Sequence, residues 1–501
     1  MIPFFMAGLF VRSIKIENFR CFDGEELNLN MPDGHNPGSG LNVLIGENGC
    51  GKTTALDALN LIVQSGFSAQ NKIDLNDFNK YENPIVVTAN CPEFKCKMPY
   101  AGNYFVANGF KFIAKARDRK APNRVLSSPI TTKSELLNTT TNYFNSKDED
   151  SRKVIQSLYK QYSSDKIIGD DLNVFYFDKN RSRHSTAGTF KTLFDRICDD
   201  LNWKFLKNLR AEDETSIAEH IATESAFYTK STEIAQKGVG DKLSTELSEF
   251  FDDDQYKNLK IDLMKLLQPF SGAFFALRKE GDLGQISSRN LGSGVEIILT
   301  MLLLKSIYSQ EGSRGSILFL IDEPELHLHP KAQDKLAELL LNESKTKQIV
   351  LASHSPYLLK PLIRASGLII LKQGETSVQI TQQTANNNLF PWSPSWGEIT
   401  YKAFEMPTIE FHNELYGYLQ EQSGHTGIND FESHLVSEGL PSIKTWTEIR
   451  NGTQRPPRNT TLQTYIRHSI HHPENQANAL YTVDELNQSI LEMITLVQAI
   501  P

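Results

Sequence analysis

The stretch GENGCGKTT, residues 46–54, decides the fold of this 501-residue chain. It fits the pattern G-x-x-x-x-G-K-[ST] in full, between an apolar run at residues 41–46 and a segment with helical spacing at residues 53–63. In such a strand–loop–helix unit, backbone amides turn toward a phosphate and the helix start adds its positive dipole end. The pattern therefore predicts an ATP-binding loop made of Gly46, Glu47, Asn48, Gly49, Cys50, Gly51, Lys52, Thr53 and Thr54.

Two carboxylates follow a buried strand in SILFLIDEPE, residues 316–325. Ligands bind beyond the carboxyl ends of strands in open α/β sheets, so we expect both carboxylates at the phosphate site. Asp322 is predicted to hold Mg²⁺ together with the Thr53 hydroxyl. Glu323 is predicted to polarise the attacking water, and Lys52 to reach the outer phosphates of ATP.

Two further motifs bear on the same site. In QIVLASHSP, residues 348–356, a buried strand ends just before His354, which is placed to contact a γ-phosphate. In LGSGVE, residues 291–296, Ser293 and Gly294 open a predicted helix, where bare amides favour an anion. Ser293 also fits a simple helix N-cap, and the two roles are compatible.

These four pieces, in this order, resemble an ATP-binding-cassette ATPase of the SMC/RecF/OLD group. IKIENFRCF, residues 14–22, is similar to the group's N-terminal strand, and DEPELHLHP, residues 322–330, to its extended Walker B string. LGSGVE stands in the place of the group's signature, although it departs from the usual LSGGQ. The resemblance implies an α/β fold with an ABC-ATPase (P-loop NTPase) core that binds ATP and Mg²⁺.

The resemblance also implies that ATP is sandwiched between two copies of the chain. One copy would give Lys52, Thr53, Asp322, Glu323 and His354, with Lys52, Glu323 and His354 as catalytic residues. The other copy would give the signature residues Gly292, Ser293 and Gly294.

Within this group the chain is similar to the stand-alone ATPases of bacterial anti-phage systems. No glutamate followed by D-x-D comes after His354, which argues against the Toprim nucleases of the OLD kind. The size and layout resemble PtuA of Septu and Septu-like retron systems, with the ATPase subunit of PARIS as a second candidate. That resemblance implies a nucleotide-controlled platform, a homo-oligomer, and a partner nuclease of HNH type.

Changes in amino-acid composition along the chain predict four regions. The ATPase core is split by a polar, mostly helical segment, within which LNVFYFD at residues 172–178 reads as an isolated strand. The region after the core is expected to be all-helical and to bind the partner. The predicted bounds are 1–120 and 271–390 for the two parts of the core, 121–270 for the insertion, and 391–501 for the C-terminal domain.

The stretch YIRHSIHHPE, residues 465–474, is dense in reactive side chains. We expect a helix that ends at Pro473, followed by a second helix that starts with a capping box of Thr482 and Glu485. Arg467 and His472 fit R-x4-H, which resembles HEPN ribonucleases and makes an ATP-gated ribonuclease an alternative function. A helical surface that holds a partner is the other interpretation.

Net charge and composition limit the remaining choices. The chain carries a net charge of −8, yet residues 111–124 and 450–472 are locally basic, which suits nucleic acid (DNA, msDNA or tRNA). A DNA-repair ATPase of RecF type is therefore a further alternative. A solvated loop is the alternative interpretation of residues 111–124. The apolar opening, residues 1–10, is too short for a bilayer, and five scattered cysteines suit free thiols. We expect a cytoplasmic protein without a membrane contact.

Overall fold

The chain forms two compact units, Met1–Arg183 with Ser293–Leu299 and Tyr308–Pro501, and His184–Gly292 with Thr300–Ile307. In the second unit the described residues are an antiparallel pair, β8 (Ala276–Arg278) with β9 (Gln285–Ser287). Every other element below belongs to the first unit. The computed structural model describes residues 9–63, 73–97, 104–114, 125–131, 172–177, 276–278, 285–287, 316–326, 328–383, 388–450 and 452–500.

A six-stranded sheet carries the nucleotide motifs. Its strand order is β13-β12-β3-β11-β10-β7, and all neighbours pair in parallel except β12 and β13. Its central strands are continuous apolar runs because both faces of a parallel sheet are covered. The strands are β3 (Leu41–Ile45), β7 (Leu172–Phe177), β10 (Ser316–Asp322), β11 (Gln348–Ala352), β12 (Gly367–Gln373) and β13 (Val378–Gln382).

A second sheet of five strands is antiparallel throughout, in the order β2-β1-β4-β5-β6. Helix α1 (Lys52–Val63) contacts strands of both sheets, so it lies between them. Apolar side chains of both sheets and of α1 form one buried core. The strands are β1 (Ser13–Glu17), β2 (Glu25–Asn28), β4 (Ile85–Lys97), β5 (Tyr104–Ala114) and β6 (Val125–Thr131).

Two helices follow the site-bearing strands. Helix α2 (Pro330–Glu343) starts after β10 with His329 as its N-cap and proline at its first position, where a missing N–H costs nothing. Helix α3 (Pro356–Leu359) is a single turn directly after β11 and packs against α2. Both helices therefore begin close to the carboxyl ends of strands in the six-stranded sheet.

The C-terminal region has its own apolar core, separate from that of the sheets. It contains α4 (Trp396–Phe404), α5 (Ile409–Ser423), α6 (Ile428–Ser437), α7 (Leu462–His471) and α8 (Val483–Ala499). Between α6 and α7 stand two short antiparallel pairs. They are β14 (Lys444–Trp446) with β17 (Arg458–Thr460), and β15 (Ile449–Arg450) with β16 (Thr453–Gln454).

Several predictions of local structure are confirmed. The α/β core, a strand at Leu172–Phe177, and the end of α7 just before Pro473 are present, as is the capping box of Thr482 and Glu485. The strand Leu172–Phe177 is not isolated as expected, because it pairs with β10 at the edge of the six-stranded core sheet. The C-terminal region has the expected helices but is not all-helical, because the polar segment 444–460 forms the hairpin pairs instead of a loop. Most of the predicted insertion, 121–270, lies outside the described residues.

No helix in the described ranges has both the length and the apolar character needed to cross a bilayer.

Candidate active site

The carboxyl ends of three neighbouring parallel strands bring the predicted phosphate residues to one edge of the sheet. Strand β11 lies between β3, which leads into the loop 46–51, and β10, which ends at Asp322. Strand β11 ends two residues before His354. The strand order, which is not visible in the sequence, thus places the loop, Asp322 and His354 side by side.

The loop packs against β12 so closely that its first residue must be glycine. A Cβ atom on Gly46 would lie 2.1 Å from the Leu371 carbonyl oxygen and 2.7 Å from Cys50 Sγ. Gly51 is similarly confined, because its Cβ would lie 2.9 Å from Cys21 Sγ, and its φ is +103°. Gly49 also has a positive φ, of +83°, but a Cβ there would meet nothing within 4 Å.

Lys52 is buried, and its ammonium group lies inside the loop. Its Nζ donates to the carbonyl oxygens of Gly46 and Glu47, at 2.7 Å each. The positive charge is therefore concentrated within the turn of the loop, where a phosphate would gain both this charge and the backbone amides.

Thr53 and Asp322 contact each other across the sheet edge. The Thr53 hydroxyl donates to Asp322 Oδ2 at 2.9 Å, and Asp322 is 1% exposed. A hydroxyl and a carboxylate are hard oxygen ligands of the type Mg²⁺ prefers, with phosphates and waters completing its octahedron. The two side chains therefore fit a magnesium ion shared with a bound nucleotide.

Glu323 adds one backbone hydrogen bond to the β10–β11 pairing, and the chain turns at this residue. Its amide donates to the Ala352 carbonyl at 2.9 Å, and its φ of +46° is left-handed. An L residue rarely adopts this conformation, which costs free energy and is concentrated at functional sites. The turn sets Glu323 apart from the strand, next to Asp322.

His354 is joined to the Walker B segment by a residue that sequence reasoning missed. Glu325 Oε1 accepts from the Ser353 hydroxyl at 2.7 Å and from the His354 amide at 3.1 Å. The His354 ring is near the same carboxylate, with Nδ1 at 3.9 Å from Oε1. The second glutamate of DEPE, residues 322–325, was the available signal in the sequence. Its contact with the residues after β11 could be found only from the pairing of β10 with β11.

The comparisons with known proteins agree with this geometry. The family model described as AAA ATPase domain matches residues 10–359, which is more than half of the chain. The chain belongs to the AAA ATPase domain family. It is an ATPase with a P-loop NTPase core.

One curated relative of this AAA ATPase is the Retron Vc95 probable ATPase of Vibrio cholerae serotype O1 biovar El Tor. The two are 22% identical over 383 residues, covering 69% of this chain and 71% of the relative.

Solved structures with similarity include two complexes of Smc heads. One is the Smc head bound to the C-winged helix domain of ScpA, with a TM-score of 0.40, 14% identity, and coverage of 75% and 98% of the two chains. The other is the Pyrococcus furiosus Smc head domain with an extended coiled coil, bound to the C-terminal domain of ScpA. It has a TM-score of 0.38, 14% identity, and coverage of 75% and 97%.

Two cysteines flank the phosphate loop of the AAA ATPase. Cys50 lies in the loop and Cys21 touches it, and both thiols are free. Burial raises the pKa of Cys50 against the opposing influence of Lys52, and burial also raises the pKa of Cys21. Both thiols are therefore protonated at neutral pH and act as small apolar groups that fill the space under the loop.

Some predicted site residues of the AAA ATPase lie outside the described residues. These are the signature residues Gly292, Ser293 and Gly294, and the part of the basic patch from 115 to 124. Their roles stay predictions.

Arg467 and His472, the R-x4-H pair, have different partners. The Arg467 guanidinium lies over the Tyr416 ring, 5.2 Å from its centroid, whereas His472 Nδ1 lies 3.3 Å from Glu474 Oε1. No contact among the described residues joins the pair, so its catalytic role in the AAA ATPase stays a prediction.

The best-connected histidine of this helix is His468. Its Nε2 lies 3.0 Å from Arg458 Nη2, and its ring stacks on Trp446 at 5.1 Å. Burial, helped by Arg458 and Arg467, lowers the pKa of His468 to about 4. His468 is therefore neutral at pH 7 and accepts from Arg458, which ties α7 to the hairpin.

Proposed function

We propose that this chain is the ATPase subunit of a cytoplasmic anti-phage complex, in which ATP turnover controls a partner nuclease. The observation that supports the proposal is the hydrogen bond between Thr53 and Asp322 beside the phosphate loop, in a chain similar to a retron probable ATPase across 69% of its length. The layout with a C-terminal helical region resembles PtuA-type subunits, so we assign an HNH-type nuclease as the partner.

In this proposal the chemistry follows from the geometry of one copy. Lys52 moves from the carbonyl oxygens of Gly46 and Glu47 to the β- and γ-phosphates, since a phosphate is the stronger acceptor. The Thr53 hydroxyl and the Asp322 carboxylate would hold Mg²⁺, which when bound would supply positive charge against the phosphates. Glu323 orients the attacking water and accepts its proton.

The site of one copy is completed by a second copy in the proposed assembly. His354 would contact the γ-phosphate from the strand side, because its side chain is 44% exposed at the end of β11. Gly292, Ser293 and Gly294 of the second copy would close the nucleotide from the opposite side. ATP binding then favours the dimer, and hydrolysis releases it.

We propose that the C-terminal region carries the partner surface. The hairpin 444–460 places Arg450 and Arg455 in solvent, and neither has an ion-pair partner in the part of the chain that the structure describes. Leu480 and Val483, at the start of α8, are 86% and 69% exposed. Arginine is enriched at protein interfaces, and exposed apolar side chains favour association because a partner removes their surface from water.

The proposal is tested by phage plating on a host that carries the gene with its native neighbours. The wild-type locus is expected to lower plating efficiency, and Lys52→Ala is expected to abolish this protection. If the wild-type locus gives no protection, or if Lys52→Ala protects equally well, the defence function is wrong.

The partner surface is tested by co-purification of the nuclease encoded beside the gene. Arg450→Glu/Arg455→Glu is expected to lose the nuclease while keeping wild-type ATP hydrolysis, because both arginines are exposed and lie in the C-terminal region, away from the residues of the phosphate site. Arg12→Glu changes an exposed arginine outside that region and serves as the control. Retention of the nuclease by the double variant would place the interface elsewhere.

A further inference from the structure

Glu325 is a buried carboxylate at the centre of a polar network beside the ATP site. It is 7% exposed, and its Oε1 accepts two hydrogen bonds from the residues that follow β11. The donors are the Ser353 hydroxyl and the His354 amide. Its Oε2 is buried and has no hydrogen-bond partner within the described ranges. Burying a carboxylate is costly unless hydrogen bonds offset the loss of hydration, so this position is held for a reason other than packing.

The network extends from Glu325 into helix α2. The Ser353 hydroxyl accepts from the Ser355 amide at 3.2 Å, and the Ser355 hydroxyl donates to Gln333 Oε1 at 2.5 Å. Gln333 Nε2 in turn donates to the Leu328 carbonyl at 3.0 Å. Residues 353–355 are therefore clamped between the segment after β10 and the first turns of α2.

We propose that Glu325 is a positioning residue that fixes His354 for contact with the γ-phosphate. The carboxylate holds the Ser353 hydroxyl and the His354 backbone amide, and it lies on the Nδ1 side of the imidazole ring. The other ring nitrogen is thereby left for the phosphate. This inference rests on the proposed role of His354, and it adds a residue that acts on ATP only through that histidine.

Two hydrogen bonds to Glu325 restrain the short segment that carries His354, and this restraint is the physical basis of the positioning role. His354 follows β11 by two residues and its side chain is 44% exposed, so few neighbours hold the ring in place. Charge-assisted bonds to a carboxylate are about twice as strong as neutral ones, which makes Glu325 the dominant restraint on this turn. Without it, His354 can move relative to Asp322, which ends the neighbouring strand, and relative to Glu323, which follows it.

A double-mutant cycle on ATP hydrolysis tests the inference. Glu325→Ala is expected to lower kcat by about 10- to 100-fold, with the KM for ATP unchanged within about twofold, because a misplacement of about 1 Å can cost 100-fold. In a His354→Ala background, Glu325→Ala is expected to lower kcat by less than about twofold, since residues that act as a unit are not additive. Glu325→Gln keeps an oxygen for both donors and is expected to recover most of the loss.

Two variants separate positioning from a general effect on folding. Glu343→Ala removes another buried carboxylate, the last residue of α2, which pairs with Lys347 in the turn that follows the helix. It is expected to lower thermal stability without changing kcat. Ser353→Ala leaves the carboxylate in place and removes one donor, so it is expected to lower kcat to an intermediate value. It provides the measurement even if Glu325→Ala does not fold.

Two results would overturn the inference, and they differ in what else they overturn. Losses that multiply in the double variant would show that Glu325 acts independently of His354, while the proposed site stays intact. A wild-type kcat in His354→Ala alone would reject the role of His354 and the role of Glu325 with it.

Discussion

Replacing Gly46 by alanine is expected to disable the ATP site while the same change at Gly49 is tolerated. The two glycines lie in one loop and both have positive φ values, +157° and +83°. They differ in what surrounds them, because only the Gly46 position faces the backbone of β12 at Leu371. This pair therefore isolates the effect of packing from the effect of backbone conformation.

The size of the effect follows from the contact distances. Non-bonded atoms prefer separations of about 3.5–4 Å, so a methyl group 2.1 Å from the Leu371 oxygen must move by more than 1 Å. Strand β12 cannot yield, because Ile370 is paired with Ile45 just before the loop. The loop itself must shift by about 1 Å, which corresponds to about a 100-fold fall in kcat/KM, or about 2.7 kcal/mol. At Gly49 only the left-handed conformation costs free energy, about 1–2 kcal/mol, which limits the loss to about tenfold.

Titration with a fluorescent ATP analogue and steady-state hydrolysis measure the two variants. Gly46→Ala is expected to lose about 100-fold in kcat/KM, and Gly49→Ala to lose no more than about tenfold. Thermal melting provides the control for folding. Equal losses in the two variants, or wild-type binding by Gly46→Ala, would refute the reasoning that β12 fixes the loop.

Three further predictions concern the site and the C-terminal region. Glu323→Gln is expected to lower kcat by about 100-fold or more while ATP affinity is retained, because a general base acts only in the transition state. Hydrolysis assays and nucleotide titration measure the two quantities, and an unchanged kcat would contradict the role of Glu323. Burial lowers the pKa of His412 from 6.5 to about 4, so on acidification the unfolded chain takes up a proton before the folded chain does. The free energy of unfolding is therefore unaffected above about pH 6.5 and falls by up to about 3 kcal/mol as the pH drops toward 4. Urea unfolding at several pH values should show this slope in the wild type and a weaker one in His412→Gln; equal slopes would count against it. Ile466→Ala, at a fully buried position of α7, is expected to lower the free energy of unfolding in urea by about 2–5 kcal/mol, whereas Leu491→Ala, at a half-exposed position of α8, should lower it far less. Similar losses in the two variants would argue against the C-terminal core described above.

The phosphate loop was predictable from the sequence because its chemistry demands a fixed string between two recognisable elements. Asp322 was predictable for a related reason, since a fully apolar run that ends in carboxylates marks the end of a buried strand. The adjacency of β11 to both β3 and β10 was not predictable, because pairing in a parallel sheet joins residues far apart in the chain. For the same reason Glu325 was not predicted, although one of its partners, His354, was already predicted for the site.

The hairpin at 444–460 was missed for a different reason. Its strands are two or three residues long and mostly polar, so they lack the alternation that indicates a half-buried strand. The dipeptide Asn451–Gly452 is a strong signal for a two-residue hairpin turn, and Gly452 has a φ of +77°. The helices around it were predictable because their caps and apolar spacing are local.

The most direct test of the ATPase site is steady-state ATP hydrolysis by the purified chain and its Lys52→Ala variant in the presence of Mg²⁺. The account predicts hydrolysis by the wild type and a fall of at least about 100-fold in the variant, because Lys52 is the buried positive charge of the phosphate loop. Equal rates in the two proteins would contradict it.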